Sequence, residues 1–241
     1  PTGWIAPSGT RVVAMADIAG SSGGLLVSLS DGQLLRSTDS GGSFVPLPLA
    51  LPAGASVSHL WTDIDRPAQV VAGIEHRAGA VPDPASAIVL WRSADDGSSW
   101  TPLLNRGATG SSFGITYDAG PGMRRYATVD RNVWRSDDDG ASWALTGLFA
   151  DSVVAHPTVA DTVFLISQLV GGSFPSLSRS TDGGASASPM TTGLAPNPTY
   201  GGSALVAALA LHPAFPTVPR MYVATQDAGL YLSTDGGTSF A

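Results

Sequence analysis

The residues that could carry acid–base chemistry are few in this sequence of 241 residues. Of its 19 acidic residues only Glu75 is a Glu, and its 12 basic residues are all Arg. An inverting glycosidase needs two carboxyl groups about 6.5–9.5 Å apart on either side of the scissile bond. Glu75, Asp83 and Asp130 are the candidates for such a pair. The absence of Cys excludes thiolate nucleophiles, disulfides and thiolate zinc sites.

Composition excludes other classes of function. The formal net charge of -7 and the pI near 4.8 disfavour nucleic-acid binding, because phosphate contact needs a basic face. The longest apolar run, residues 204–211, is far below the roughly 18 residues that span a bilayer, so we expect no membrane insertion. The four His residues show neither a Ser-His-Asp arrangement nor a paired-His metal motif, and we expect no cofactor.

A repeated motif indicates which turns and strands would position these residues. Five segments share the form Ser-x-Asp-x-Gly-x-Ser-aromatic, which we call the box. An Asp side chain accepts hydrogen bonds from backbone N–H groups in its own turn, and Gly adopts the positive φ that such a turn requires. In the fourth copy Ala187 replaces the aromatic, which predicts looser packing there. The box residues are Ser37, Asp39, Gly41 and Phe44; Ser93, Asp95, Gly97 and Trp100; Ser136, Asp138, Gly140 and Trp143; Ser180, Asp182 and Gly184; and Ser233, Asp235, Gly237 and Phe240.

The period of the repeat predicts the architecture. Successive box Asp residues are 56, 43, 44 and 53 residues apart, a mean of 49, which matches one four-stranded propeller blade. Alternating apolar runs separated by turns precede each box, as at residues 57–63 and 69–75 around a turn at 66–68. The same layout predicts inner strands at residues 112–117 and 125–129 and at residues 204–212 and 221–225. The sequence therefore predicts an all-β fold of five four-stranded antiparallel blades.

The box resembles the Asp-box (BNR) repeat of sialidases, sortilin-type receptors, xyloglucan-cleaving glycosidases and photosystem II assembly factors. The resemblance implies a β-propeller in which the boxes lie on one face and any active site on the other. The box Asp residues are therefore expected to form turns and not to catalyse. The sialidase signature, a Phe/Tyr-Arg-Ile-Pro segment with a Tyr-Glu pair, is missing from this sequence.

The predicted domain is a single propeller. Its blades are expected at residues 7–51, 52–104, 105–148, 149–192 and 193–241, with residues 1–6 added to the last blade. The fifth repeat has no room for a fourth strand after Phe240. We expect the N-terminal strand at residues 3–6 to supply it and so close the ring, which would remove two open sheet edges.

Binding residues are expected on the face away from the boxes. This face would be formed by the turns between the second and third strands and by the links between blades. The loop at 76–86 is the longest of these turns and carries charge, and a charged insertion on a rigid scaffold commonly binds ligands. The predicted binding residues are His76, Arg77, Asp83, Asn105, Arg106, Arg131 and Tyr200.

These observations favour a non-catalytic binding or scaffold module with a protein or polysaccharide partner. We expect it to be secreted, periplasmic or at the cell surface, as a subunit of an extracytoplasmic or membrane-associated assembly. The alternative is an inverting glycoside hydrolase or a polysaccharide-binding subunit. Asp137, Asp138 and Asp139 resemble a run of calcium ligands, but no loop motif of the required spacing surrounds them, so no metal is expected.

Overall fold

The computed structural model describes residues 4–18, 21, 23–49, 51, 55–63, 66–76, 84–107, 112–168, 175–197 and 204–241. Within these residues the regular structure consists of β-strands and one short 3-10 helix, Pro84–Ala87. The all-β prediction is thus confirmed. The chain divides into two compact units, Pro1–Ile115 and Thr116–Ala241.

The first unit contains two antiparallel sheets of four strands each. In each sheet the strands lie side by side in chain order, as consecutive hairpins do. The first sheet comprises β1 (Val12–Asp17), β2 (Leu25–Leu29), β3 (Leu34–Ser37) and β4 (Val45–Pro46), and the second comprises β5 (Ala55–Asp63), β6 (Arg66–His76), β7 (Ile88–Ser93) and β8 (Thr101–Asn105).

The second unit contains three antiparallel sheets with the same order of strands. The last of them has three strands where the others have four. The strands are β9 (Thr116–Ala119), β10 (Arg125–Val129), β11 (Asn132–Ser136) and β12 (Ala144–Phe149); β13 (Ser152–Ala155), β14 (Val163–Ile166), β15 (Leu177–Ser180) and β16 (Ser188–Pro189); and β17 (Val206–Leu211), β18 (Met221–Thr225) and β19 (Leu230–Ser233).

The second strand of each sheet carries most of the core. All residues of β10 and of β14 are buried, whereas the outer strand β12 alternates between exposed and half-buried positions. A short strand that is apolar at every position, as β14 is, is typical of a strand buried on both faces. Two of the box aromatics belong to clusters between neighbouring sheets: Trp100 packs with Leu26 and Leu47, and Phe240 with Met190.

Three local predictions differ from the structure. Residues 66–68, expected to form a turn, begin the long strand β6. Ser112, expected at the start of an inner strand, instead forms an isolated bridge to His76, and strand β9 begins at Thr116. Trp4 lies in no strand, and its ring packs against Phe44 at an interplanar angle of 47°, with ring centroids 4.6 Å apart. The predicted closure of the ring by residues 3–6 is therefore not confirmed.

Candidate functional site

The box is held by the same hydrogen bonds in all five copies. The first Ser donates from Oγ to Asp Oδ1 at 2.7–2.8 Å and accepts from the Gly N–H at 2.7–2.9 Å. The second Ser donates from N to Asp Oδ1 at 2.8–3.0 Å and from Oγ to Asp Oδ2 at 2.5–2.7 Å. Every first Ser is only 1% exposed. Each carboxylate is thus occupied by its own turn.

The box also ties its turn to the rest of its sheet. The residue after each box Asp donates its N–H, at 2.8–3.1 Å, to a carbonyl at or just before the second strand of the same sheet. This residue and the box Gly that follows both have positive φ, of 56–70° and 85–93° respectively. Two consecutive residues in this region turn the chain sharply, and Gly is the residue that tolerates it best.

These bonds predict sensitivity to acid. The Ser43 N–H, followed by the Ser37 and Ser43 hydroxyls, lowers the pKa of Asp39 from 3.8 to about 2, and the Ser142 hydroxyl and N–H lower the pKa of Asp138 to about 2. Because the folded pKa lies below the unfolded value, the stability that these carboxylates contribute is present above pH 3.8 and is lost as the pH falls through about 2. We expect the urea midpoint to decrease steeply between pH 4 and pH 2, and a midpoint that stays constant over this range would contradict the prediction.

Contacts between neighbouring sheets also repeat within each unit. The Arg before the first Ser of one box donates to the carbonyl of the residue after the Asp of the next box: Arg36 Nη1 to Asp96 O at 3.4 Å and Arg135 Nη1 to Gly183 O at 2.8 Å. The box Arg therefore links successive sheets.

A second contact involves the residue eight positions after the box Asp, which we call the cover residue. Leu47, Thr146 and Met190 are the described examples, and each lies against the box Gly of the next sheet: Gly97, Gly184 and Gly237. A Cβ added at Gly97 would lie 2.7 Å from Leu47 Cδ1, and one at Gly184 would lie 2.9 Å from Thr146 Cγ2. At these three positions a Cβ would force the cover residue to shift, in addition to the strain of the positive φ.

An open cavity of about 180 Å³ lies where β12 meets the fourth box. At this junction the cover residue is Thr146 instead of Leu or Met, and the fourth box carries Ala187 where the others carry an aromatic. The side chains that the two sheets contribute here are therefore smaller than those at the corresponding positions of the other sheets. The cavity is lined by Arg135, Ala144, Leu145, Thr146, Gly183, Gly184 and Ala185.

Ion pairs support one wall of this cavity. Asp137 Oδ1 lies 3.0 Å from Arg135 Nε and 3.2 Å from Arg124 Nε, and Arg124 Nη2 lies 3.0 Å from Asp161 Oδ1. A Cβ added at Gly183 would meet Arg135 Nη1 at 2.5 Å and Arg124 Nη1 at 3.0 Å. The two guanidinium groups therefore lie directly over this glycine and are held by carboxylates on both sides.

The three consecutive residues Asp137, Asp138 and Asp139 each bind different groups. Asp137 pairs with Arg124 and Arg135, Asp138 accepts the bonds of its box, and Asp139 Oδ1 lies 2.6 Å from Arg125 Nη2. Among the described residues no group of three or more His, Cys, Asp or Glu could hold a metal ion.

In the first unit, three of the predicted binding residues are His76, Asn105 and Arg106. His76 ends β6 and is 3% exposed, and its N–H donates to Ser112 Oγ at 3.1 Å. Asn105 ends β8 and accepts from the Gly107 N–H at 2.8 Å, and the Arg106 N–H donates to Ala87 O at 2.9 Å. His76 is therefore part of the core, and Asn105 is the exposed member of the group.

In the second unit, Asp130 and Arg131 form the two-residue hairpin between β10 and β11. Their φ values of 51° and 66° are those of a tight turn in which both central residues are left-handed. Arg131 Nε donates to Asp151 Oδ1 at 2.8 Å, and Asp151 Oδ2 accepts from the Gln168 N–H at 2.6 Å. Arg131 is thus held in place beside the link between two sheets.

The candidate catalytic acids fall in different parts of the chain. Glu75 lies in the first unit and Asp130 in the second, and Asp83 lies outside the described residues. Arg77 and Tyr200, predicted to bind a partner, also lie outside them.

The cavity residues were not predicted from the sequence. Thr146 breaks the pattern of the repeat at the cover position, and Ala187 breaks it at the aromatic position of the box. A comparison of the copies at the cover position would have singled out Thr146. No single copy carries this signal.

The sequence matches no protein-family profile and no curated protein. Solved structures do match. A GH74 enzyme from Niastella koreensis is 16% identical, with a TM-score of 0.61 over 95% of this chain, and this chain covers 38% of it. YCF48 bound to a D1 peptide is 15% identical, with a TM-score of 0.62 over 100% of this chain and 69% of that one. A chain of a nidogen/laminin complex is 11% identical, with a TM-score of 0.58 over 95% of this chain and 78% of that one.

These similarities define the class of protein: a β-propeller, whose five boxes are of the Asp-box type. At such low identities they show the fold alone. The similar structures include an enzyme and proteins solved with a peptide or a protein partner, so the fold is compatible with either kind of function.

Proposed function

We propose that this chain is a non-catalytic propeller module that binds a protein or polysaccharide partner outside the cytoplasm. The five sheets would be the blades of one ring. In the last sheet the backbone of Leu232 already exchanges two hydrogen bonds with Ala241, at 2.9 and 3.0 Å. Residues 1–6 could extend this pairing and close the ring, as in the blade boundaries proposed above.

The observation that carries the proposal is that carboxylates at the sheet edges away from the boxes already accept hydrogen bonds from neighbouring turns and links. Asp31 Oδ1 accepts from the Gln33 N–H at 3.1 Å, Asp151 accepts from Arg131 and Gln168, and Asp227 Oδ2 accepts from Asn197 Nδ2 at 2.5 Å. A carboxylate that holds a turn or a link in this way is poorly placed to protonate a leaving group. These acids support a rigid binding surface better than they support catalysis.

The location outside the cytoplasm is part of the proposal. None of the described helices is long and apolar enough to cross a membrane. The low charge content, 13% of residues, leaves much of the surface neutral, which suits a chain that contacts a larger assembly.

The proposal is tested by native purification of the tagged chain. We expect a partner that is retained by the wild type and released by Arg131→Ser, because that change alters the edge away from the boxes without touching the boxes. Arg220→Ser is the matched control on the box side and should retain the partner, because Arg220 is exposed and follows Pro219, whose carbonyl accepts from the Gly236 N–H of the last box. A monodisperse monomer with nothing retained would count against the proposal.

A further inference from the structure

We propose that the cavity between β12 and the fourth box is a pocket for an aromatic side chain of a partner protein. This inference rests on the binding function proposed above and adds to it a second contact, on the box side of the sheets, with a stated chemistry. The cavity, of about 180 Å³, opens to solvent beside Leu145, which is 56% exposed.

The contacts between other neighbouring sheets show which side chains pack at the corresponding position. We call each such contact between successive sheets a junction and number the junctions in chain order. At the first junction Leu47 and Trp100 belong to one apolar cluster, and at the last junction Met190 and Phe240 do so. Each junction thus combines an aliphatic cover residue with the aromatic of the next box. At the third junction the chain supplies Thr146 and Ala187 instead, so an aromatic group from elsewhere would complete the same packing.

The wall of the cavity favours an aromatic ring over an aliphatic chain. Arg135 lines it, and its N–H groups are already engaged: Nη1 by Gly183 O at 2.8 Å, Nη2 by Asp137 Oδ2 at 3.1 Å and Nε by Asp137 Oδ1 at 3.0 Å. A guanidinium held flat by such bonds stacks well on an aromatic face, which adds a cation–π attraction to the burial of apolar area.

The side chains around the pocket are fixed in advance. Thr146 Oγ1 donates to Val133 O at 3.1 Å and accepts from the Leu148 N–H at 3.2 Å, so its methyl group is directed at Gly184. A pocket with fixed walls loses little conformational entropy when it is filled.

The test uses N-acetylphenylalaninamide as the probe and the backbone amide signals of Leu145, Thr146, Gly184 and Ala185 as the readout. We expect saturable shifts in the wild type, with a dissociation constant of about 1 mM for a fragment of this size. N-acetylalaninamide should produce none.

Two variants should close the pocket and weaken binding at least tenfold. Thr146→Leu restores the cover residue of the first junction, and Ala187→Trp restores the box aromatic found at Trp100 and Trp143. Thr101→Leu makes the same exchange of side chains at an exposed position of β8 that does not line the pocket, and this variant should bind the probe like the wild type. The amide spectrum of each variant shows whether it is folded.

Absence of saturable shifts in the wild type would overturn the pocket, as would undiminished binding in both closing variants. The measurement is independent of turnover. Loss of probe binding therefore counts against the pocket alone, whereas hydrolysis of a polysaccharide would count against the proposed binding function.

Discussion

Gly193→Ala should destabilise the protein by at least about 3 kcal/mol. Gly193 has a φ of +87°, and a Cβ built on it would overlap the carbonyl oxygen of Phe240. The obstacle is main chain, and the Phe240 N–H is fixed to Thr192 O at 2.9 Å, so neither segment can move without losing that bond. The loss would be measured from urea unfolding curves at pH 7.

The matched control for this prediction is Gly229→Ala. Gly229 has nearly the same φ, +88°, but a Cβ there would meet no atom within 4 Å. It therefore reports the cost of the backbone conformation alone, about 1 kcal/mol. Equal losses for the two variants would show that the close approach of Phe240 to Gly193 does not exist in solution.

Arg125→Met should cost about 3 kcal/mol. The Arg125 side chain is 2% exposed, with Nη2 2.6 Å from Asp139 Oδ1. Its Nη1 also donates to the carbonyls of Gly120 and Gly122 at 3.1 Å and of Arg124 at 2.6 Å. Met fills a similar volume but leaves the carboxylate and these carbonyls without their buried donor, and an unsatisfied buried polar group is costly.

Arg131→Met is the control for the buried pair. Arg131 forms its ion pair with Asp151 at a side-chain exposure of 41%, where solvent screens the interaction. We expect a loss of about 0.5 kcal/mol for this variant. If the two Arg variants unfolded at the same urea concentration, Arg125 would not be the anchor of the loop at residues 120–124.

The fold was predictable because the repeat encodes it locally. Each box brings its own Ser, Asp and Gly, and the hydrogen bonds among them depend on neither the other copies nor a partner. Strands β10 and β18 lie at the predicted residues for a similar reason, since each is a short run between clear turns. Residues 66–68 were misplaced because Pro67 suggested a turn, although Pro is tolerated near the first residues of a strand.

The candidate site was less predictable because it depends on contacts between sheets. Nothing near Thr146 in the sequence shows that it faces Gly184 of the next sheet, and the cavity becomes visible only when the two are placed together. The burial of His76 was not predictable either. The sequence places His76 at the start of a charged loop, whereas in the structure His76 ends strand β6. Local patterns identify turns and strands, whereas pockets depend on which side chains meet.

The most direct test of the proposed function is a reducing-sugar assay of the purified chain on xyloglucan and other soluble β-glucans. A binding module predicts no release of sugar above buffer, for the wild type and for Asp83→Asn and Asp130→Asn alike. Release by the wild type that either substitution abolishes would contradict the account, because it would place a catalytic acid in a chain that we propose only binds.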